Sequence, residues 1–472
     1  MTVRMEVTNN AAKPNDKTDE GFPQKKTVSW IPSAKSNKVR SVEPKPAGDL
    51  TAANFQRSLK ITLIAGQIFA LLPVRGILTT KPSEVWFKRL YWKCFYTYIC
   101  LFGQMFMTVM CINNMAHNMT SLKSTSPIIF YATTCFTTII FYNMAKAWPK
   151  LVADVANIEQ LDPCTCCRPN LVTKCNATCC GVLFLALIEH ILSLLLAFAS
   201  AGVCFPNLSL YEGFVKHFYP WVFNFLPYHG VLGFMTQFVH FQSTFIWNFS
   251  DLFVICISYF LTYRLQHVNK KLLNAQGKYL PETFWKATRE EYGRVTKLIR
   301  RMDDVIGGVV FISFANNLFF ICFQLFNTLE NGLRGSSECT RRTHEDKTSL
   351  LGGSEAAAYF IFSLVYLIMR SVMVSLVAAQ VNTESMVPAP VLYDVPSPVY
   401  CTEVQRFLDQ VNGEVVALTG LKFFSVTRGL LLTVAGTIVT YELVMVQFNA
   451  PSPSSSSPTT TALPSTVTNN ST

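Results

Sequence analysis

Several side chains that can hydrogen-bond a ligand lie inside stretches of sequence that are otherwise apolar. Trp247, Asn248 and Asp251 occur in one such stretch, and Asn317 and Gln324 occur in another. If these stretches cross a membrane, lipid cannot satisfy their polar groups, which must therefore face a cavity or one another. Around a cavity they would bind a polar molecule, whereas in mutual contact they would only hold helices together. The sequence leaves both interpretations open for each residue.

Aromatic side chains accompany these polar groups. Amides and carboxylates bind hydroxyl groups, and aromatic rings pack against flat C–H faces. Glu189 and His190 lie in the middle of a further apolar stretch, and we expect them to be structural or to form the floor of a pocket. We predict that the ligand-binding residues are Gln242, Trp247, Asn248, Asp251, Asn317, Phe320, Gln324, Tyr359 and Phe362.

Motifs for catalysis are absent from the sequence. It contains no P-loop, GxSxG, HExxH or dinucleotide-binding fingerprint, so we expect no enzymatic activity and no cofactor. The cysteine run CTCCRPNLVTKCNATCC, residues 164–180, does not match the ligand spacing of zinc sites, and we therefore expect no bound metal. Cys204 and Cys339 form a possible disulfide, because both are expected on the external side.

The composition is typical of a membrane protein. Of the 472 residues, 50% are hydrophobic and only 15% are charged, with a mean hydropathy of +0.28. A soluble domain carries about 25% charged residues. The net charge of +11 would suggest nucleic acid as a partner of a soluble protein, but basic residues also accumulate in the cytoplasmic segments of membrane proteins. We therefore expect no nucleic-acid partner.

Eight apolar stretches divide the chain, and seven of them are long enough to cross a bilayer. The first stretch, Ile61–Leu78, is interrupted by Pro73 and Arg75 and is predicted to form a half-inserted helix. The sequence therefore predicts an all-α integral membrane protein with seven transmembrane helices. The predicted spans are 91–112, 127–145, 181–204, 242–263, 305–326, 356–380 and 424–448.

Basic residues orient these spans. With a cytoplasmic N-terminus, the cytoplasmic segments contain 32 of the 40 Lys and Arg residues and the external segments contain six. This asymmetry predicts that the N-terminus is cytoplasmic and the C-terminus external. The glycosylation sequons at Asn118, Asn207 and Asn470 then lie outside the cell.

The segments outside the spans differ in character. Residues 1–58 and 449–472 are polar and lack helical periodicity, which predicts a disordered cytoplasmic tail and a disordered external tail. A membrane-interfacial helix is predicted at 59–80. Residues 264–304 and 401–423 place apolar residues at helical spacing, which predicts cytoplasmic helices.

The last predicted span ends in the sequence TYELVMVQF, residues 440–448. This stretch resembles the TYxxxxxQF signature in the last helix of insect gustatory receptors. The sugar-receptor branch of that family has a version of the signature that includes a glutamate, and Glu442 resembles it. The resemblance to the family covers about residues 55–448. The signature positions are occupied by Thr440, Tyr441, Gln447 and Phe448.

This resemblance implies a ligand-gated, non-selective cation channel with the fold of insect odorant and gustatory receptors. Its expected partners are a sugar tastant, permeating cations and membrane lipids, and it is expected in the plasma membrane of gustatory receptor neurons. Four subunits would assemble as a homotetramer or with related gustatory receptors. Residues 89–380 would then form a six-helix peripheral ligand-binding domain, 401–423 an anchor helix, and 424–448 the pore-lining helix.

Helical geometry divides the signature into faces. At about 100° per residue, Thr440, Val444 and Gln447 share one stripe, and Tyr441 and Phe448 lie on the neighbouring stripe. The resemblance places the Gln and Phe positions at the outer constriction of the pore. We therefore expect Gln447 and Phe448 to act as the gate, and the other three residues to line the pore with them.

Glu442 lies nearly opposite the first of these stripes and needs a partner or a proton if it faces protein within the membrane. Arg370 is the only basic residue in the preceding span. By rise per residue it lies about 12 Å deeper than Glu442, which is too far for a direct pair. The sequence therefore leaves the partner of Glu442 unidentified and gives both residues a structural or electrostatic role.

Two alternatives belong to other functional classes. A seven-helix G-protein-coupled receptor would have an external N-terminus and DRY and NPxxY signatures, and this sequence lacks both signatures. A secondary transporter is expected to show internal repeats, and none is evident here. The channel interpretation is therefore preferred.

Overall fold

The computed structural model describes residues 53–117, 125–163, 169–331 and 354–449. Within these ranges the chain is almost entirely helical, in agreement with the predicted all-α fold. The helices are α1 (Ala53–Ile68), α2 (Trp92–His117), α3 (Thr125–Leu161), α4 (Pro169–Cys204), α5 (Leu210–Phe218), α6 (Pro220–Phe223), α7 (Gly230–Leu273), α8 (Glu282–Asn331), α9 (Ser354–Met386), α10 (Pro388–Tyr393), α11 (Thr402–Gly413) and α12 (Arg428–Asn449).

The remaining regular elements are small. Strands β1 (Thr419–Gly420) and β2 (Phe424–Ser425) form an antiparallel hairpin in which Gly420 pairs with Phe424. Short 3₁₀ turns occupy Pro82–Glu84 and Ser397–Val399. Most of the two predicted tails lies outside the described residues.

Six helices in the described part of the chain are long and apolar enough to cross a membrane. The seventh predicted span forms α12, whose 22 residues extend about 33 Å and therefore match a hydrocarbon core of about 30 Å. The six helical stretches are Trp92–His117, Thr125–Leu161, Leu171–Cys204, Gly230–Leu273, Glu282–Thr328 and Ala356–Tyr393.

Helix α7 is the centre of the bundle. It packs against α1, α3, α4, α8 and α9, and its large rings Phe249, Phe253 and Phe260 are fully buried. An amphipathic helix would leave one polar face in solvent, but α7 is apolar around most of its circumference. Burial on every side follows from that composition, and α7 therefore positions residues that face several neighbouring helices.

Helix α1 packs on α7 through an unusually close contact. Phe55, Leu59 and Leu63 belong to the main core, and a Cβ added to Gly66 would lie 2.6 Å from the ring of Phe249. Only glycine permits the two helices to approach this closely. The predicted interfacial segment, 59–80, thus comprises the second part of α1 and the loop that follows it.

The loop after α1 folds back against the bundle. Ala70 and Leu72 adopt left-handed backbone conformations, with φ of 63° and 49°. The amide of Gln67 stabilises the turn by donating to the carbonyls of Leu72 and Val74, at 3.1 and 2.6 Å. Lys93 at the start of α2 donates to the Gln67 oxygen at 2.5 Å, which ties the loop to the next helix.

The long helices extend beyond the predicted spans and meet α11. Arg289 on α8 forms an ion pair with Glu403 on α11 at 2.8 Å, and the rings of Tyr292 and Phe407 lie 5.3 Å apart. The hydrogen bond from Arg289 holds the pKa of the Glu403 carboxyl below its usual value. The predicted anchor helix, 401–423, ends early at Gly413, because the chain beyond it turns into the hairpin, which is bonded to Asp303 on α8.

The hairpin is attached to α8 at the base of α12. Asp303 accepts hydrogen bonds from the Thr419 amide and hydroxyl at 2.6 and 2.8 Å, and Lys422 pairs with it at 2.5 Å. Leu421 and Lys422 have positive φ, 50° and 65°, as the turn requires. The Leu421 amide also donates to the Gly307 carbonyl at 3.3 Å, which places α8 in direct contact with the hairpin.

Candidate ligand cavity and the Arg370 network

A cavity of about 250 Å³ lies among α3, α4, α5, α6, α7, α8 and α9. This volume is just below the range of about 300–1,000 Å³ that is common for small-molecule sites. Aromatic rings form most of its wall, and a carboxylate, two imidazoles and several hydroxyls provide polar groups. We call it the aromatic cavity, and its lining residues are Ser126, Pro127, Phe130, Tyr131, Glu189, His190, Ser193, Phe218, Trp221, His240, Thr244, Trp247, Phe320 and Tyr359.

His240 is enclosed by rings on the α5 and α6 side of the aromatic cavity. Its Nδ1 lies 2.9 Å from the Tyr131 hydroxyl. The rings of Phe218 and Tyr219 lie 5.1 and 5.7 Å from the imidazole, and His190 lies 5.8 Å away. This part of the wall therefore combines hydrogen-bonding atoms with flat apolar surfaces, which is the combination that a polyhydroxylated ligand requires.

Glu189 provides the carboxylate of the aromatic cavity and is held by a side-chain relay. The Ser363 hydroxyl donates to Glu189 Oε1 at 2.6 Å, and Gln324 Nε2 donates to Ser363 Oγ at 3.0 Å. The relay joins α4, α9 and α8. Because the hydroxyl both donates and accepts, a shift of Glu189 would move groups on two other helices.

Trp247 separates the aromatic cavity from a polar network. Its ring lies 4.7 Å from the ring of Phe320, and both side chains line the cavity. The guanidinium of Arg370 lies 4.5 Å from the centre of the Trp247 ring. A cation over an aromatic face is attracted by the electron-rich ring, most strongly when water is excluded. The indole therefore contacts the cavity and also orients Arg370.

Arg370 forms a buried ion pair with Asp251 at 2.8 Å, and the two side chains are only 2% and 1% exposed. The Ser313 hydroxyl donates to Asp251 Oδ1, and Asn317 Nδ2 donates to Oδ2 at 3.1 Å. Arg370 also donates to Asn317 Oδ1 at 3.4 Å. A buried charge is tolerated only when it is paired and hydrogen-bonded, and this network meets both conditions.

Asn248 completes the network by joining α7 to α9. Its side-chain oxygen accepts hydrogen bonds from the Tyr366 hydroxyl, at 2.8 Å, and from Arg370. Its nitrogen donates to the Thr244 carbonyl at 2.8 Å. Helices α7, α8 and α9 are therefore linked through a single guanidinium, directly behind Trp247.

Six of the nine predicted ligand-binding residues fall into two sets. Trp247, Phe320 and Tyr359 line the aromatic cavity. Asn248, Asp251 and Asn317 lie in the network around Arg370, and their polar atoms are engaged there. Ligand contact by members of either set stays a prediction.

The other three predicted residues also have contacts within the bundle. Gln242 donates to the Phe69 carbonyl at 3.2 Å and accepts from Gln104 at 3.4 Å. Phe362 stacks with Tyr366 of the same helix at 6.4 Å and packs against a cluster that includes Ala186 of α4 and Phe245 of α7. Gln324 reaches the cavity only through the Ser363 relay. These three side chains help to hold the helices together.

A comparison with known proteins identifies the family. The family model described as the trehalose receptor matches residues 38–338 and 347–457. The chain belongs to this family of gustatory receptors. The predicted family is therefore confirmed.

Relatives within the family cover most of the receptor. Gustatory receptor 5a for trehalose from Drosophila melanogaster is 30% identical over 427 residues, which span 89% of this chain and 92% of that protein. The gustatory receptor for sugar taste 64f of the same organism is 31% identical over 405 residues, with 85% and 82% covered.

The fold is also shared with a solved structure. The insect olfactory receptor OR5 from Machilis hrabei, solved alone and in complex with eugenol, aligns with a TM-score of 0.58. The alignment covers 84% of this chain and all of that chain at 13% identity, so it supports the fold only. The receptor is thus an all-α, multi-pass membrane protein, as predicted.

Sequence reasoning did not select most of the residues that line the cavity of this receptor. Tyr131 and Phe130 belong to an apolar stretch of α3, and Phe218 and Trp221 belong to α5 and α6. Helices α5 and α6 lie between the predicted spans 181–204 and 242–263, where an external connection is expected. Their sequence LYEGFVKHFYPWVF is nevertheless rich in aromatic rings. Among the polar lining residues, Glu189 could be singled out from the sequence, because a carboxylate inside an apolar stretch needs a partner.

The last helix of the receptor, α12, exposes most of its predicted pore residues. Thr440, Tyr441, Val444 and Gln447 are exposed in the single subunit. The side chain of Phe448 lies outside the described part of the structure. Gating and pore lining by these residues remain predictions.

Glu442 is half-buried, and its two carboxylate oxygens have no hydrogen-bond partner among the described residues. Arg370, which is expected to lie too deep in the membrane to reach Glu442, is paired with Asp251. The carboxylate on α7 is thus neutralised within the subunit, whereas the carboxylate on α12 is not.

The remaining predicted sites lie on the surface of the receptor or outside the described residues. Asn207 is exposed in a turn between α4 and α5, and Cys204 is half-buried. Asn118, Asn470 and Cys339 lie outside the described ranges, so glycosylation and the disulfide stay predictions. In the described part of the cysteine run, Cys175 and Cys179 are buried, and no metal-binding group of His, Cys, Asp and Glu side chains occurs in the described ranges.

Proposed function

We propose that this receptor is a sugar-gated, non-selective cation channel in the plasma membrane of gustatory receptor neurons. Its sugar would bind in the aromatic cavity. The relatives named for trehalose and for sugar taste support a sugar ligand. The lining supports it chemically, because rings can cover the C–H faces of a sugar while Glu189, His190 and Tyr131 exchange hydrogen bonds with its hydroxyls.

One packing cluster carries this proposal, because it joins the cavity to the last helix. Phe320, Ile321 and Leu367 form a small buried cluster. Trp247, from the cavity wall, packs against this cluster, and so does Ile438 of α12. A ligand that displaces the cavity wall would therefore press on a cluster that also holds α12.

The cluster suggests how binding could open a pore. A ligand shifts a conformational equilibrium only by the difference between its affinities for the two states. We propose that the open state lets Trp247 and Phe320 pack more closely on the sugar. The cluster would then release Ile438 and allow α12 to move outward, which an apolar gate requires in order to hydrate.

Helix α12 is proposed to line a central pore formed by four subunits, either identical or mixed with related receptors. Its apolar residues Leu432, Val439 and Leu443 are 75%, 58% and 60% exposed in the single subunit. Apolar exposure of this extent marks a surface that other subunits or lipid will cover. Gln447 and Phe448 are proposed to form the gate, with Thr440, Tyr441 and Val444 beside them.

Patch-clamp recording during a panel of sugars tests the proposal. The receptor is expressed in cells whose G-protein signalling is blocked, and surface labelling verifies its delivery. We expect a sugar-evoked cation current that survives the block. Silence across the panel, with receptor at the surface, would contradict a sugar ligand, and a current abolished by the block would favour a G-protein-coupled mechanism.

Two substitutions separate binding from conduction. Trp247→Ala removes a cavity wall, and we expect it to reduce sugar sensitivity at unchanged single-channel conductance. Gln447→Ala alters the proposed gate and should change conductance or selectivity at unchanged sensitivity. Trp92→Ala, at an exposed tryptophan on α2, is the matched control and should change neither property. The reverse pattern would contradict the proposed roles.

A further inference from the structure

A second cavity, of about 540 Å³, opens between α4, α7 and α9. It shares no lining residue with the aromatic cavity and is lined by both polar and apolar side chains. We call it the Lys174 cavity. Its lining residues are Leu171, Lys174, Tyr259, Thr262, Tyr263, Gln266, Leu376, Val377 and Gln380.

Thr262 gives this cavity an unused hydrogen-bonding group. The side chain is only 8% exposed, and its hydroxyl has no hydrogen-bond partner among the described residues. A threonine inside a helix commonly bonds to the carbonyl four residues earlier, as Thr244 does to His240 at 3.0 Å. A buried hydroxyl without a partner is unfavourable, and rotation of the Thr262 side chain toward the cavity would let a ligand satisfy it.

Lys174 supplies the positive charge. Its ammonium lies 5.8 Å from the centre of the Tyr259 ring, at the wall of the cavity. Arg428 adds a second cation nearby, since its guanidinium donates to Gln380 Oε1 at 3.5 Å. The cavity therefore offers an ammonium and a buried hydroxyl at its wall, with a second cation beside it, and these groups together suit a phosphate.

One carboxylate lies close to the cavity and opposes an anion. Glu384 Oε1 accepts from Gln266 and Gln380, each at 2.8 Å. Its Oε2 accepts from Asn269 at 3.0 Å. Both oxygens are thus engaged by amides of the protein. The negative charge of Glu384 persists, but the two cations Lys174 and Arg428 outnumber it.

The position of the cavity indicates the source of the phosphate. Arg428 is the first residue of α12, which is just long enough to cross the hydrocarbon core, so the cavity lies at the level where that core ends. From its rim at Leu376, an exposed apolar stripe continues along α9 through Val372 and Met369. Basic pockets between helices at this level bind lipid head groups, and the stripe would accommodate an acyl chain.

We propose that the Lys174 cavity binds the phosphate of a phospholipid head group, with the phosphate on Lys174 and Thr262 and an acyl chain along the apolar stripe of α9. The occupant would touch Gln380, whose oxygen is also bonded by the first residue of α12. The proposal is independent of the sugar ligand, because it uses none of the residues of the aromatic cavity.

The test measures the melting temperature of the purified full-length receptor in detergent. Phosphatidic acid, diacylglycerol with the same chains, or soluble glycerol 3-phosphate is added at equal concentration. A ligand that binds only the folded state raises the melting temperature. We expect a rise with phosphatidic acid and none with diacylglycerol.

Variants locate the site. Lys174→Gln and Thr262→Val should each reduce the rise by at least about half, because charge and hydrogen bonding both contribute to phosphate binding. Lys174→Arg should retain it. Lys150→Gln, at an exposed lysine on α3, is the matched control and should behave as wild type. Melting temperatures without lipid show whether each variant is folded.

Three outcomes would overturn the proposal. An undiminished rise in both Lys174→Gln and Thr262→Val would show that the lipid binds elsewhere. An equal rise with diacylglycerol would show that the phosphate is not recognised. An equal rise with glycerol 3-phosphate would support a phosphate site and overturn its assignment to a lipid.

Discussion

Helices α7 and α12 are both apolar and both long enough to cross a membrane, but their surroundings differ. In α7, 89% of an apolar segment of 18 residues is buried within the subunit. In α12, Leu432 is 75% exposed and Leu443 is 60% exposed. The difference shows that apolar composition alone does not fix the role of a helix. Helix α7 is held by its own subunit, whereas α12 presents its apolar surface to other subunits or to lipid.

The carboxylates of the two helices show the same contrast. Asp251 on α7 is paired with Arg370 and receives hydrogen bonds from Ser313 and Asn317. Glu442 on α12 has no hydrogen-bond partner among the described residues. The three partners of Asp251 fix it within the bundle, whereas the unpartnered Glu442 is consistent with the proposed change in the environment of α12 on assembly or gating.

The strongest test of this contrast is to break the pair at the centre of α7. Arg370→Gln leaves Asp251 buried without a counter-charge, which should destabilise the folded receptor by about 3–5 kcal/mol. Thermal unfolding of the purified receptor would measure the loss. Combining Arg370→Gln with Asp251→Asn should recover part of the stability, because the unpaired negative charge is then absent.

The matched control for this prediction is Arg406→Gln. Arg406 pairs with Glu403 at 2.8 Å but is 59% exposed. Exposed pairs contribute less than about 1 kcal/mol. If the two arginine substitutions had equal effects, the Arg370 network would not be the rigid centre that we describe.

A smaller effect is expected where α1 meets α7. Gly66→Ala places a methyl group 2.6 Å from the ring of Phe249 and should cost about 1–3 kcal/mol through overpacking. Gly181→Ala, on α4, meets no atom within 4 Å and should be neutral or stabilise the helix by up to about 1 kcal/mol. If the two variants unfolded at the same midpoint, α1 would not be packed against α7 as described.

The smallest effect on subunit stability is expected on α12. Leu432→Ala should change unfolding of the subunit by less than about 0.5 kcal/mol, because the side chain is largely exposed. Its effect should appear instead in assembly, as a lower yield of chemically cross-linked oligomers. The matched substitution on α7, Leu261→Ala, removes a fully buried side chain and should cost about 2–5 kcal/mol. A large loss from Leu432→Ala alone would remove the contrast between the helices.

Length and apolar periodicity were sufficient to predict the long helices, because a membrane helix must satisfy its backbone internally over about 20 residues. They could not predict that Arg370 pairs with Asp251, which lies 119 positions earlier in the chain. Rise per residue excluded Glu442 as a partner, but the choice among the remaining polar groups depends on how α7, α8 and α9 pack. The signature identified α12, yet its exposure in one subunit became evident only from the structure.

The cavity shows a similar limit. Trp247, Phe320 and Tyr359 were predicted because they stand beside polar groups in apolar stretches. Phe218 and Trp221 were missed because they lie in short helices outside the predicted spans, and their contact with the cavity is a long-range one. The end of α11 at Gly413 was also missed, since the hairpin that replaces it is stabilised by Asp303 on a distant helix.

The central claim is that the aromatic cavity acts on α12 through the cluster of Phe320, Ile321 and Leu367. The most direct measurement is a double-mutant cycle of Phe320→Ala and Ile438→Ala, with sugar sensitivity of the channel current as the readout. We expect a coupling energy above about 0.5 kcal/mol, because residues that pack in one cluster do not act independently. Effects that add to within about 0.3 kcal/mol would contradict the claim.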